Sequence, residues 1–238
     1  MLEIESVREE HTARGGYESA RSRNMETVSQ LELKMSSYIY FGSGTKVGEL
    51  SNFARCPTPF EWEGHLWNSS ESAYCCWLRV DPVDWPRFAV GGDLSELTTG
   101  FAALVPASVV GKKVKHYGSK KGGTKPEMIG IIPKLATKDK YAKKIGVRLT
   151  PRDEAKCEPS ELFNKFVEIL VEKYRYNKTF RDVLIATRGK KLIEFDRGAV
   201  RESKKGKPPF WTAQVQEGVM YGRNFQGDIQ EAVRHRFL

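Results

Sequence analysis

A chain containing PSELFNKFVEILVEKYRYN, Pro159 to Asn177, has to cover one long apolar helix face. From about Ser160 the residues Leu162, Phe166, Ile169, Leu170 and Tyr174 recur at helical spacing with polar residues between them, which predicts an amphipathic helix resting on a partner layer. Lys173 ends that helix beside the same face. Thr179, with Asp182 three residues on, then reads as a capping pair opening a short helix that stops at Gly189. KLIEF, Lys191 to Phe195, has strand character, and the last segment places Phe225, Ile229, Val233 and Phe237 as a buried helical stripe. Upstream, SSYIYFG (Ser36 to Gly42) reads as a strand. PFEWEGHLW reads as a bent hairpin with Phe60, Trp62 and Leu66 as its apolar positions. The expected class is α+β, a single helix-rich domain with small β elements over residues 37–238 behind a polar tail over residues 1–36.

That hairpin delivers the chain to a second helix start. Ser69 or Ser70 can accept a backbone hydrogen bond as N-cap, and Tyr74, Cys75 and Leu78 follow on the face that also carries Glu71. Burying Tyr74 and Cys75 turns the Glu71 carboxylate inward, beside the positive end of the helix dipole. A glutamate there also reads as the ordinary completion of a first helical turn.

Charge is distributed unevenly. Residues 111–148 hold 12 Lys and Arg against Glu127 and Asp139, a balance of +10, while the whole chain carries +9. Such a segment, broken by Gly118, Gly122, Gly123 and Pro126, suits a loop that follows phosphates, with Lys112, Lys113, Lys115, Lys120, Lys121 and Lys125 as candidate nucleic-acid contacts. It also reads as a solvated lysine face. Within it, MIGIIPKLA (Met128 to Ala136) is an apolar patch expected to anchor the loop to the core, and RESKKGK (Arg201 to Lys207) is a smaller basic cluster. No signal peptide or membrane span is expected: the first residues lack a basic patch followed by an apolar run, and no stretch approaches the roughly 20 apolar residues of a membrane helix. An intracellular setting, cytoplasmic or nuclear, fits the four cysteines, Cys56, Cys75, Cys76 and Cys157, which show no CxxC spacing and read as reduced thiols. His11, His65, His116 and His235 are scattered, so neither a metal nor a cofactor is expected.

Four pieces in order, LSNF (Leu50 to Phe53), SSESAY (Ser69 to Tyr74), KYRYN (Lys173 to Asn177) leading into VLIAT, and GRNFQG (Gly222 to Gly227) followed by Arg234, resemble the NADAR superfamily, which includes the YbiA-like proteins. The resemblance spans about Tyr38 to the C-terminus. It implies a YbiA-like fold and an N-glycosidase that cleaves the bond between a ribose anomeric carbon and an exocyclic amine. Two substrates follow from it: ADP-ribosylated guanine in DNA or RNA, with ADP-ribose as product, or ribosylamino pyrimidine phosphates of riboflavin synthesis. A third reading is a non-catalytic module that binds ADP-ribose or nucleic acid. A monomer is expected.

Cleavage of such a bond passes through an oxocarbenium-like state and needs a negative charge near the anomeric carbon. The resemblance places Glu71 there. A lysine can capture the opened sugar as a Schiff base, with Lys173 the first candidate and Lys46 and Lys134 behind it; Lys173 also reads as a helix-end residue favoured by the dipole. Asn52 and Asn177 are candidates for ribose hydroxyls, and Phe53 and Trp211 for stacking. Gly222, Arg223, Asn224 and Gly227 would cradle a diphosphate on outward N–H groups at the start of the last helix. The chain departs from the family pattern in having Thr212 after Trp211, Gln226 where a Leu is usual, about two extra residues after LSNF, and no Asp just before Trp211. Asp196, directly after KLIEF, is the expected replacement for that acid.

Overall fold

The computed structural model describes residues 37–42, 45, 47–95 and 136–238. The chain divides into two units, residues 1–39 and 40–238. In chain order the elements are β1 (Tyr38–Phe41), a 3-10 turn (Gly48–Leu50), β2 (Phe60–Trp62), β3 (His65–Trp67), α1 (Ser70–Arg79), a 3-10 turn (Pro82–Asp84), α2 (Trp85–Phe88), α3 (Asp139–Ile145) and a 3-10 turn (Glu154–Lys156). Then come α4 (Pro159–Tyr176), α5 (Lys178–Ala186), β4 (Lys191–Glu194), α6 (Ala199–Lys204), β5 (Ala213–Gln216), β6 (Val219–Gly222) and α7 (Phe225–Arg236). The described fold is therefore α+β, with helices dominating and the sheet limited to the two-stranded pairs β1–β4, β2–β3 and β5–β6.

The predicted long helix is α4, and the five apolar residues of its stripe are all buried, with Phe166, Ile169 and Leu170 at 0–1% exposure. Full burial of each such side chain contributes about 1.5–3 kcal/mol, so this face anchors the fold. It packs against α7, α1, α5 and β2. The β2–β3 hairpin turns through Glu63 and Gly64, both at positive φ, and pairs Phe60 with Trp67. That register sends Trp67 inward and leaves Leu66 half exposed, correcting the expectation that Leu66 lies on the apolar face.

Two further boundaries differ from the sequence reading. The Thr179 and Asp182 capping pair does not form; α5 starts at Lys178, and Asp182 pairs instead with Lys178 one turn away. In α7, Ile229 and Val233 are fully buried, but Phe237 lies at the exposed end, stacked on Tyr174 at 4.1 Å. A polar stripe shares the buried side of this helix: Gln226, Gln230 and Arg234, four residues apart, are each at most 4% exposed. Arg234 closes the end of α5 by donating to the Thr187 and Lys190 carbonyl oxygens at 2.7 and 3.0 Å. The apolar patch over residues 128–135, together with Lys46, Lys134 and the basic candidates between Lys112 and Lys125, lies outside the described residues.

Candidate active site

LSNF has little regular structure, so its carbonyl groups need partners from elsewhere. Three helices supply them. Lys173 of α4 donates to the Ser51 and Glu49 carbonyl oxygens at 3.2 and 3.4 Å. Gln230 of α7 donates to that of Leu50 at 2.9 Å, and the Glu71 N–H of α1 donates to that of Asn52 at 3.0 Å. The Asn52 side-chain oxygen accepts from Gln226 at 3.1 Å and from the Ser70 hydroxyl at 3.4 Å. The separate pieces LSNF, SSESAY, KYRYN and GRNFQG are thus one hydrogen-bonded assembly, and Gln226 is part of it.

The assembly forms one wall of a cavity of about 300 Å³. Asn52 and Phe53 line it from the loop, Glu71 and Tyr74 from α1, Phe166 from α4, Gln226 from α7, Glu194 from the end of β4, Glu154 from its 3-10 turn, and Pro209 to Thr212 from the approach to β5. Glu71 is 5% exposed. Ser69 is the N-cap of α1, accepting from the Ser72 N–H at 3.2 Å, so the helix start that holds Glu71 is fixed from both sides. The Cys75 thiol approaches the Glu71 carboxylate at 3.8 Å.

Aromatic rings make the other walls. Tyr74 stacks on Phe166 at 4.2 Å between centroids, and Trp211 meets Tyr74 and Phe166 at 5.7 Å each. The Tyr74 hydroxyl donates to Glu154 at 2.9 Å. Burial, and then the charge of Glu154, hold the Tyr74 phenol well above its ordinary value, so it stays protonated.

Of the residues chosen from sequence, the cavity brings together Glu71, Asn52, Phe53 and Trp211. Lys173 does not line it. Burial lowers the Lys173 pKa, as a Schiff-base lysine requires, yet its ammonium faces two carbonyl oxygens and the Phe180 ring at 4.5 Å. Asp196 does not line the cavity either. It accepts from the Gly198 N–H at 2.7 Å and from the Thr212 hydroxyl at 3.2 Å, steadying a lining residue from behind. Asn177 follows α4, and its side-chain oxygen accepts from the Thr58 N–H at 3.4 Å.

Most of the GRNFQG backbone packs the chain. The N–H groups of Arg223, Asn224, Phe225 and Gln226 donate to the carbonyl oxygens of Pro209, Thr212, Phe210 and Trp211, which corrects the expectation of outward donors there. Asn224 ties α7 to β4, accepting from the Glu194 N–H and donating to the Leu192 carbonyl oxygen. Gly227 has to be glycine, since a Cβ there would lie 2.2 Å from that same Leu192 oxygen. Gly222 is constrained similarly, with φ of 101° and the Thr212 oxygen 2.3 Å from a Cβ. Arg223 is exposed, with its guanidinium 5.7 Å from the Phe210 ring centroid.

Glu154, Tyr74, Glu194, Phe210 and Gln226 are among the lining residues that sequence reasoning did not select. Tyr74 was legible as Glu71's neighbour on one face, whereas Glu154 sits in RDEAK, a stretch with no periodicity or motif to mark it.

No family model and no curated protein matches the chain. Among solved structures it is similar to the NMR structure of the E. coli protein YbiA, at 14% identity, covering 84% of this chain and 83% of that one with a TM-score of 0.43. At that score the likeness carries no argument about activity. Among the described residues no helix is long and apolar enough to cross a membrane, and no group of His, Cys, Asp and Glu could hold a metal ion.

Proposed function

We propose that this chain is an N-glycosidase that hydrolyses the bond between ADP-ribose and the amino group of guanine in nucleic acid. The observation that carries the reading is the placement of Glu71: a sheltered carboxylate, fixed by a capped helix start, lining a cavity walled by aromatic rings. A carboxylate so held can stabilise positive charge developing at a sugar's anomeric carbon, or deprotonate the attacking water, without reorganising. Asn52, gripped by Gln226 and Ser70, is the candidate for a ribose hydroxyl, with Phe53 and Trp211 bordering the sugar and base. Lys173 acts as a positioning residue in this reading: it holds the backbone just before Asn52, at Glu49 and Ser51, and leaves the chemistry to Glu71. The excess positive charge over residues 111–148 supports a polynucleotide substrate.

The test is incubation with an oligonucleotide bearing ADP-ribosyl guanine, with products followed by mass spectrometry. Release of free ADP-ribose and restored guanine is expected, at a rate that falls steeply with salt. Binding of the oligonucleotide with no release over time would replace the enzyme by a binding module. Turnover confined to ribosylamino pyrimidine phosphates, with a shallow salt dependence, would replace the substrate.

A further inference from the structure

Glu154 lines the same cavity as Glu71 and reaches it from a segment without a motif. That segment is fastened along the end of α1. Val80 and Leu149 form an antiparallel bridge, the Thr150 N–H donates to the Arg79 carbonyl oxygen at 2.8 Å, and the Arg79 guanidinium donates to the Arg152 carbonyl oxygen at 2.8 Å. Asp153 then caps the 3-10 turn, its carboxylate accepting from the Ala155 N–H at 3.1 Å. One helix therefore positions both carboxylates, Glu71 in its first turn and Glu154 through the segment clasped to its last. Tyr74 links them: it shares the Glu71 face of α1 and donates its hydroxyl to Glu154 Oε1 at 2.9 Å. The two acids differ in setting. Glu71 is 5% exposed, and its own N–H is bonded to Asn52, the residue assigned to the ribose. Glu154 is half-buried, on a turn whose next residues, Ala155 and Lys156, are exposed. A group that takes a proton from water has to give it up to solvent before the next turnover, and the more exposed carboxylate suits that task. Tyr74 sets its form: a phenol held above its ordinary range keeps its hydrogen and donates it, so Glu154 is presented as an acceptor. A carboxylate has room for donors beyond one phenol.

We infer that Glu154 is a second catalytic residue, the general base that deprotonates the attacking water, with Tyr74 as its positioning residue, while Glu71 faces the positive charge on the sugar. The inference rests on the glycosidase reading of the same cavity and divides its two tasks between two groups. In the step, the water oxygen bonds to the anomeric carbon as the carbon–nitrogen bond breaks. The electron pair of that bond leaves with the guanine nitrogen, which takes up a proton from solvent, and the proton from water passes to Glu154. Glu154 then releases it to solvent, so no other reactant is consumed.

Rescue by azide tests this. Turnover of an oligonucleotide bearing ADP-ribosyl guanine is followed by mass spectrometry for the parent, Glu154→Gln, Glu71→Gln and Tyr74→Phe, with and without sodium azide, and folding is checked by circular dichroism. The amide of Glu154→Gln keeps an oxygen for Tyr74 and loses the base, so hydrolysis is expected to fall on the order of 10²- to 10⁴-fold. Azide attacks without deprotonation. It should therefore restore release of guanine by Glu154→Gln, with ADP-ribosyl azide as the product, and leave Glu71→Gln silent. Tyr74→Phe should fall between the parent and Glu154→Gln. Hydrolysis by Glu154→Gln at the parental rate, or a folded and impaired Glu154→Gln that azide does not restore, would overturn the inference and spare the glycosidase reading. Rescue of Glu71→Gln by azide would overturn it by exchanging the two roles. Tyr74→Phe serves without touching the carboxylate: a folded chain at the parental rate breaks the pairing. Absence of ADP-ribose release by the parent would instead sink the glycosidase reading, and this inference with it.

Discussion

Two regions of this molecule bury charged groups to nearly the same depth and use them differently. Lys173, 2% exposed, lies in the clamp around LSNF, where its ammonium is engaged by two carbonyl oxygens and does not line the cavity that Glu71 borders. Glu71, 5% exposed, lies one hydrogen bond away from the same loop, through its own N–H to Asn52, and its side chain borders an open volume of about 300 Å³. Burial of a charge by itself therefore does not mark a catalytic group. What separates the two is that Lys173 faces fixed backbone carbonyls and Glu71 borders a cavity.

The largest expected effect that would sharpen this contrast is on turnover. Glu71→Gln should lower hydrolysis on the order of 10²- to 10⁴-fold with the melting temperature little changed, because the amide keeps the shape and removes the charge. Glu71→Gln with full activity would break the contrast from the cavity side. Next in size is Lys173→Met, which fills the space yet leaves the Glu49 and Ser51 carbonyls without their donor. A loss of about 2–5 kcal/mol is expected in urea unfolding. A Lys173→Met chain as stable as its parent, but inactive, would move Lys173 into the chemistry and break the contrast from the clamp side.

The clamp also explains what the sequence did and did not disclose. The α4 stripe, the hairpin and the Ser69 cap were legible because each is a local pattern of spacing or turn residues. Leu66 was misassigned because a two-residue turn at Glu63 and Gly64 sets the register, and one position of shift exchanges the faces. At the site, Glu71, Asn52, Phe53 and Trp211 were legible through motif residues, whereas Glu154 and Glu194 reach the cavity only by long-range packing. Lys173 was legible only as a lysine beside the buried face, and that it meets the Glu49 and Ser51 carbonyls was not, since helical periodicity reports a face and not what faces it. Asp196 was placed one layer too close: it holds Thr212, and Thr212 borders the cavity.

Smaller effects refine the comparison. Gln230→Leu removes the donor to the Leu50 carbonyl and also a buried side-chain oxygen that has no partner among the described residues, so the two changes oppose each other and a net loss of about 1 kcal/mol is expected by urea unfolding. The smallest effect is on alkaline stability. Tyr74 is held protonated above its ordinary value of 10.0, first by burial and then by Glu154. Its stabilisation is therefore complete below pH 10 and is lost as the pH climbs beyond that toward the raised folded value. Stability measured against pH should decline less steeply above about pH 10 in Tyr74→Phe than in the parent.

The most direct measurement puts both regions on one scale: rate of ADP-ribose release per folded molecule, with folded fraction determined by circular dichroism, for the parent, Glu71→Gln and Lys173→Met. Glu71→Gln should remain folded and silent, while Lys173→Met should lose folded fraction and retain turnover in the molecules that stay folded. Release by Glu71→Gln at the parental rate would contradict the assignment of this cavity as the place where the sugar bond breaks.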